Sequence, residues 1–127
     1  MAGPKPSRLQ AVALVAAGGF LGVNARWLAL GQLGELEAIL LANVAGCLLL
    51  GFLVYEAESL ALLSPSARLA ATTGFCSSLT TYSTFAMQTA LATGPWSTLG
   101  IVVAHYGLGI AAVLVGRFVA RTLGGAD

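Results

Sequence analysis

The sequence predicts an all-α integral membrane protein, a single four-helix membrane domain over residues 1–127. Two observations predict it. The chain is 57% hydrophobic and only 9% charged, with a mean hydropathy of +0.88, whereas a soluble domain carries roughly 25% charged residues. A chain this short cannot cover so much apolar surface with so few charges, so its solvent is lipid. The apolar residues also fall into four blocks, each near the roughly 20 residues a helix needs to cross a bilayer. A net charge of +1 leaves no electrostatic footprint for nucleic acid. The length leaves no room for a separate soluble catalytic module.

The first block covers about residues 9–30 and follows Lys5 and Arg8. It is too long for the apolar core of a signal peptide and shows no clear small-x-small cleavage site, so it reads as a retained span. Within it Gly18 and Gly22 stand four apart in "GGFLG", a small surface suited to close helix packing. The second block, 38–55, lies between Glu35 and Glu37 on one side and Glu56 and Glu58 on the other. The third, 68–91, follows the turn "LSPSAR"; the fourth, 96–119, follows "ATGPW". Gly46, Gly107, Gly109 and Gly116 add small surfaces on the second and fourth blocks. Connections this short make consecutive helices antiparallel neighbours. All 5 acids (Glu35, Glu37, Glu56, Glu58 and Asp127) lie outside the blocks. No carboxylate is therefore placed mid-membrane, where buried acids mark proton-coupled transport.

Polar groups inside the blocks need a partner or a watery cavity, because an unpaired amide or hydroxyl in hydrocarbon costs several kcal/mol. Asn43, in "LLANVAGC", either bonds a neighbouring helix or lines a pathway as a donor. Arg26 is either an interfacial anchor beside Trp27 or a fixed positive charge at an anion entrance. His105 reads as a hydrogen-bonded packing residue beside Tyr106, and with 1 histidine in the chain a metal cluster on imidazole is not expected. Cys47 and Cys76 read as small apolar residues. No nucleophile has a base and an orienting partner, so no enzyme is expected.

The most informative stretch is "GFCSSLTTYSTFAMQT", residues 74–89. Ser77, Ser78, Thr80, Thr81, Ser83 and Thr84 crowd hydroxyls into the middle of the third block, where they compete with the backbone for helical hydrogen bonds. A local break follows. Unwound backbone is tolerated at membrane depth only where it is buried in protein or lines a cavity. A break frees carbonyls, which suit a cation, and amides, which suit an anion. Tyr82 and Phe85, three apart, share a helix face, and aromatic rims attract anions. Hydroxyl donors, ring edges and no acids describe an anion pathway.

Three segments, "GGFLGVNARW", "LLANVAGC" and "TTGFCSSLTTYSTF", make the whole chain resemble the Fluc (CrcB) fluoride channel family, whose pattern in the third is Gly-Gly-Leu-Thr-Thr-Phe-Ser-Thr-Phe. The resemblance implies four transmembrane helices per subunit, a third helix broken at its centre, and an antiparallel dual-topology dimer. It implies a structural sodium ion at the dimer centre, held by backbone carbonyls that here belong to Ser77 and Thr80. It implies narrow pores along the interface, with Asn43, Ser83, Thr84 and Phe85 at or beside them and Tyr82 in the place of the first phenylalanine of an aromatic box; beside what the resemblance implies, Tyr106 reads as pore-lining and Arg26 as the charge at the anion entrance. The implied activity is passive, fluoride-selective export across the plasma or inner membrane, which lowers cytoplasmic fluoride.

The sequence departs from the pattern in particular places. Ser77 and Ser78 replace two glycines, and Tyr82 replaces a phenylalanine. Gly109 and Val113 stand where hydroxyl residues are expected on the fourth helix, which thins the polar track. Charge is also lopsided. With the termini and the second-to-third connection on one side, Lys5, Arg8, Arg68, Arg117 and Arg121 fall there and Arg26 falls opposite. The positive-inside rule then favours one orientation with both termini cytoplasmic. The chain therefore reads either as a homodimer that tolerates the bias or as half of a heterodimer with an oppositely oriented paralogue. In the second case it is a half-pore or non-conducting assembly subunit. A small multidrug transporter is disfavoured because the first span lacks the embedded glutamate that class relies on.

Overall fold

A computed structural model describes residues 4–124; Asp127, one of the acids noted above, lies outside them. The described residues are helical almost throughout and contain no strand. Helix α1 spans Arg8–Gln32. Ser7 opens it with a capping box: its hydroxyl accepts from the Gln10 N–H, and the Gln10 side chain accepts from the Ser7 N–H at 2.9 Å, satisfying donors that a helix start leaves bare. Helix α2 spans Glu35–Tyr55 and runs on through a π-helical turn, Glu56–Leu60. Ala61 closes that turn in the left-handed region, at φ 50°. Helix α6 spans Pro95–Leu123. Proline opens it at a position where no helical N–H is needed.

These three stretches, Arg8–Gln32, Glu35–Leu60 and Pro95–Leu123, are long and apolar enough to cross a membrane, and each contains an expected block. The third expected block is not one such helix. It is built from α3, Pro65–Leu69, a π-helical segment Ala70–Cys76, α4, Ser77–Leu79, and then, after Thr80 and Thr81, α5, Tyr82–Ala90. Ser64 caps α3 through its hydroxyl.

Short connections predict sequential neighbours, and α1 does touch α2. The most intimate packing is elsewhere, between α1 and the run 65–79, and between α2 and α6. Glycine decides it. A Cβ on Gly18 would collide with the Ala70 carbonyl oxygen, and one on Gly22 with that of Phe75. Across the other seam, a Cβ on Gly51 would collide with the Val113 carbonyl and one on Gly116 with that of Leu48. Residue numbers rise together along both seams, from Gly18–Ala70 to Gly22–Phe75 and from Cys47–Gly109 to Tyr55–Arg117, so both pairs run parallel. The "GGFLG" surface is therefore spent inside the chain.

One end of the bundle gathers the N-terminal segment, the connection after α2 and the end of α6. Lys5 and Ser66 line one cavity, Leu60 abuts Gly124, and the Arg117 guanidinium lies 5.9 Å from the Tyr55 ring centroid. The connection is fastened by Glu56, 1% exposed. Its carboxylate accepts from the Leu63 N–H at 2.6 Å and from the Arg68 guanidinium at 3.0 Å. A carboxylate buried this deeply is tolerable because both oxygens are hydrogen-bonded and the charge is paired.

Candidate functional site: a helix break beside an aromatic cavity

The hydroxyl-rich stretch breaks the helix at Thr80 and Thr81. Thr80 takes φ −82° and ψ 157°, Thr81 φ −150° and ψ 122°, both extended. Upstream, the hydroxyls turn back on their own helix. Ser77 Oγ donates to the Thr73 carbonyl, and Thr80 Oγ1 donates to the Cys76 carbonyl at 3.0 Å. Such back-bonds compete with the helical ladder and favour its ending. Downstream, Thr81 caps α5: its Oγ1 accepts from the Thr84 N–H at 3.3 Å. It also shares hydroxyl contacts with Ser83 at 3.3 Å and Thr84 at 3.1 Å.

The broken backbone is held by two side chains from other helices. Asn43 clamps Thr81 at both ends: its Oδ1 accepts from the Thr81 N–H at 2.8 Å, and its Nδ2 donates to the Thr81 carbonyl at 3.1 Å. The side-chain amide thus takes the place of a pairing strand. Arg26 donates to the carbonyls of Thr80 at 3.0 Å and Leu79 at 3.5 Å. Its cation sits where the run 65–79 ends and the helix dipole is negative. The exposed neighbour Trp27 faces outward, while Arg26 turns in.

Beside the break lies a cavity of about 380 Å³. Asn43 and Cys47 of α2, Thr80 and Thr81, Tyr82 and Phe85 of α5, and His105 and Tyr106 of α6 all contribute to its wall. Phe85 is the hub. Its ring centroid lies 4.6 Å from His105, 5.6 Å from Tyr82 and 5.9 Å from Tyr106, the last edge-on at 81°. Phe85 is 7% exposed, whereas Tyr82 and Tyr106 are 71% and 53% exposed, so the cavity opens on the side of the two tyrosines. Gly109 and Val113 are in the wall, so the α6 side is apolar where hydroxyls are expected. No carboxylate lines the cavity among the described residues.

Of the residues singled out from sequence, Asn43, Thr80, Tyr82, Phe85 and Tyr106 meet at this cavity. Ser83 and Thr84 lie in the hydroxyl cluster around Thr81, outside the wall. Ser77 and Arg26 lie behind the break. Among the wall residues with polar or sulfur side chains, Thr81, Cys47 and His105 were not assigned to the site from sequence. Thr81 had a signal, since a threonine ahead of a helical run is a helix-start mark. The other two had none above ordinary packing.

Fold and site together define an all-helical, multi-pass membrane protein. The family described as "CrcB-like protein, Camphor Resistance (CrcB)" matches residues 13–117, and the chain belongs to it. A protein of Haloarcula marismortui named fluoride-specific ion channel FluC 1 is 46% identical over 117 residues, covering 92% of this chain and 91% of its own. A Natronomonas pharaonis protein of the same name is 48% identical over 114 residues, covering 88% and 95%. A Halobacterium salinarum protein named fluoride-specific ion channel FluC 2 is 42% identical over 123 residues, covering 94% and 95%.

Proposed function

We propose that this chain forms a passive, fluoride-selective channel that releases cytoplasmic fluoride across the cell membrane. The observation that carries the reading is the break clamped by Asn43 beside an aromatic cavity with no carboxylate, in a chain similar to proteins named fluoride-specific channels. Fluoride is small and strongly hydrated, so its water must be replaced donor by donor. The start of α5 has first-turn N–H groups without intrahelical acceptors, hydroxyls lie around Thr81, and the ring edges of Tyr82, Phe85 and Tyr106 carry positive rims. A narrow path of such groups compensates fluoride and is too tight for chloride. HF enters cells as a neutral acid and dissociates, and a negative-inside potential drives the trapped anion out.

The cavity is open on one side, so the reading includes a second subunit, antiparallel to the first, that closes it. A homodimer and a pairing with a paralogue both satisfy this. The paralogue reading is favoured by the cations Lys5, Arg68 and Arg117 lying at one end of the bundle and by relatives numbered FluC 1 and FluC 2. The apolar α6 wall at Gly109 and Val113 favours its strongest form, in which this chain supplies only half a pore.

The break also offers a partial fit for a structural sodium ion. The Thr81 N–H goes to Asn43 instead of back to Ser77, so the Ser77 carbonyl is free to accept. The Thr80 carbonyl has a second lone pair beyond the one used by Arg26. Two carbonyls do not complete a sodium shell, and the remainder would come from the second subunit. The ion would supply fixed positive charge at the crossing of the two breaks.

Planar-bilayer recording under opposed fluoride and chloride gradients tests the reading. The reversal potential is expected to follow fluoride alone. A potential set equally by chloride contradicts it.

A further inference from the structure

His105 lies against the hub of the cavity with one nitrogen unaccounted for. Its Nδ1 is 3.0 Å from the Ile101 carbonyl. A carbonyl only accepts, so Nδ1 carries the proton and the neutral ring presents Nε2 as a bare acceptor. Nε2 is buried and has no hydrogen-bond partner among the described residues, and buried polar atoms are rarely left so. The ring is 4.6 Å from Phe85, tilted by 46°, and His105 shares the cavity wall with it.

We propose that His105 is a positioning residue that couples protonation to anion occupancy through Phe85. The proposal rests on the channel reading above. A proton on Nε2 places a cation against the Phe85 ring, an attractive arrangement. It also draws the ring's electron density away from the rim that faces the anion. A buried imidazolium needs a nearby negative charge, and among the described residues no carboxylate lines the cavity. The titratable side chains facing it are Cys47 on α2, Tyr82 on α5 and Tyr106 on α6 itself. The cation Arg26 sits behind the break on the carbonyls of Thr80 and Leu79. Arg117 is farther along α6, over Tyr55, and Glu56 is paired with Arg68 at the end of the bundle. An anion in the cavity is therefore the counter-charge that answers it. Proton and fluoride favour each other's binding, and by linkage the coupling is reciprocal.

Two measurements on the full-length protein test this. In planar bilayers the current counts fluoride and not HF, which is uncharged. At low fluoride, the current is expected to rise about five-fold or more as the pH is lowered, and His105→Asn is expected to lose that slope. Nitrogen-15 NMR reads the one histidine in the chain without any variant. At fixed mildly acidic pH, adding fluoride, but not chloride, is expected to raise the protonated fraction of the imidazole. A fluoride current independent of pH, or an imidazole signal indifferent to fluoride in a conducting sample, overturns the coupling and leaves the channel reading standing. Absence of fluoride current at every pH overturns both.

Discussion

At the scale of single residues, the site is organised by satisfaction of backbone groups. Asn43 answers both polar groups of Thr81, so Asn43→Ala leaves a donor and an acceptor bare at membrane depth. Hydrogen bonds between membrane helices contribute on average about 0.6 kcal/mol each and an unsatisfied buried group costs more. The expected loss is about 2 kcal/mol, read from denaturant titration in detergent, together with loss of fluoride flux per folded protein. Unchanged flux would mean that the clamp is not needed by the path. Phe85 contacts three rings and is buried, so Phe85→Ala is expected to cost about 3 kcal/mol and to abolish selectivity between fluoride and chloride in the same assay. Asn43 was legible as a polar residue needing a partner, and Phe85 as an aromatic on the face of Tyr82. Their partners were not, because Thr81 and His105 come from distant parts of the chain and no local pattern specifies them. Arg26 shows the same limit: a basic residue near a span end reads as an anchor or as a charge at an anion entrance until the carbonyls of Leu79 and Thr80 are placed beside it.

At the scale of elements, the long helices were legible because apolar length alone fixes them. The break was legible because the hydroxyls of Ser77, Thr80 and Thr81 compete locally with helical bonding. The pairing of α1 with 65–79, and of α2 with α6, was not. Short loops argue for sequential neighbours, and only the depth of the glycine contacts shows that parallel, non-sequential helices pack more closely. Gly22→Val is expected to force α1 off the Phe75 carbonyl and destabilise the fold by more than about 2 kcal/mol. Gly31→Ala meets nothing within 4 Å and is expected to be neutral or to stabilise by up to about 1 kcal/mol. Thermal aggregation of the two variants in detergent compares them directly, and equal behaviour would contradict the packing. At the connection, Glu56→Gln keeps an acceptor for the Leu63 N–H and strands the Arg68 cation. Arg68 is 27% exposed, so solvent moderates the penalty to about 2 kcal/mol, again read by denaturant titration.

At the scale of the whole molecule, the question is what closes the cavity. The end of the bundle that carries Lys5, Arg68 and Arg117 biases insertion toward one orientation. Tags at the N-terminus are therefore expected on the cytoplasmic side in most copies when the chain is expressed alone. Equal accessibility from both sides would identify a dual-topology homodimer and remove the case for a paralogous partner. The central claim is fluoride conduction, and the most direct measurement is efflux from liposomes holding the purified chain, with chloride-loaded liposomes alongside. The account predicts rapid fluoride release with chloride retained, from this chain alone or once a paralogue of opposite orientation is co-reconstituted. Well-folded protein that releases no fluoride in either case, or releases chloride equally fast, would contradict it.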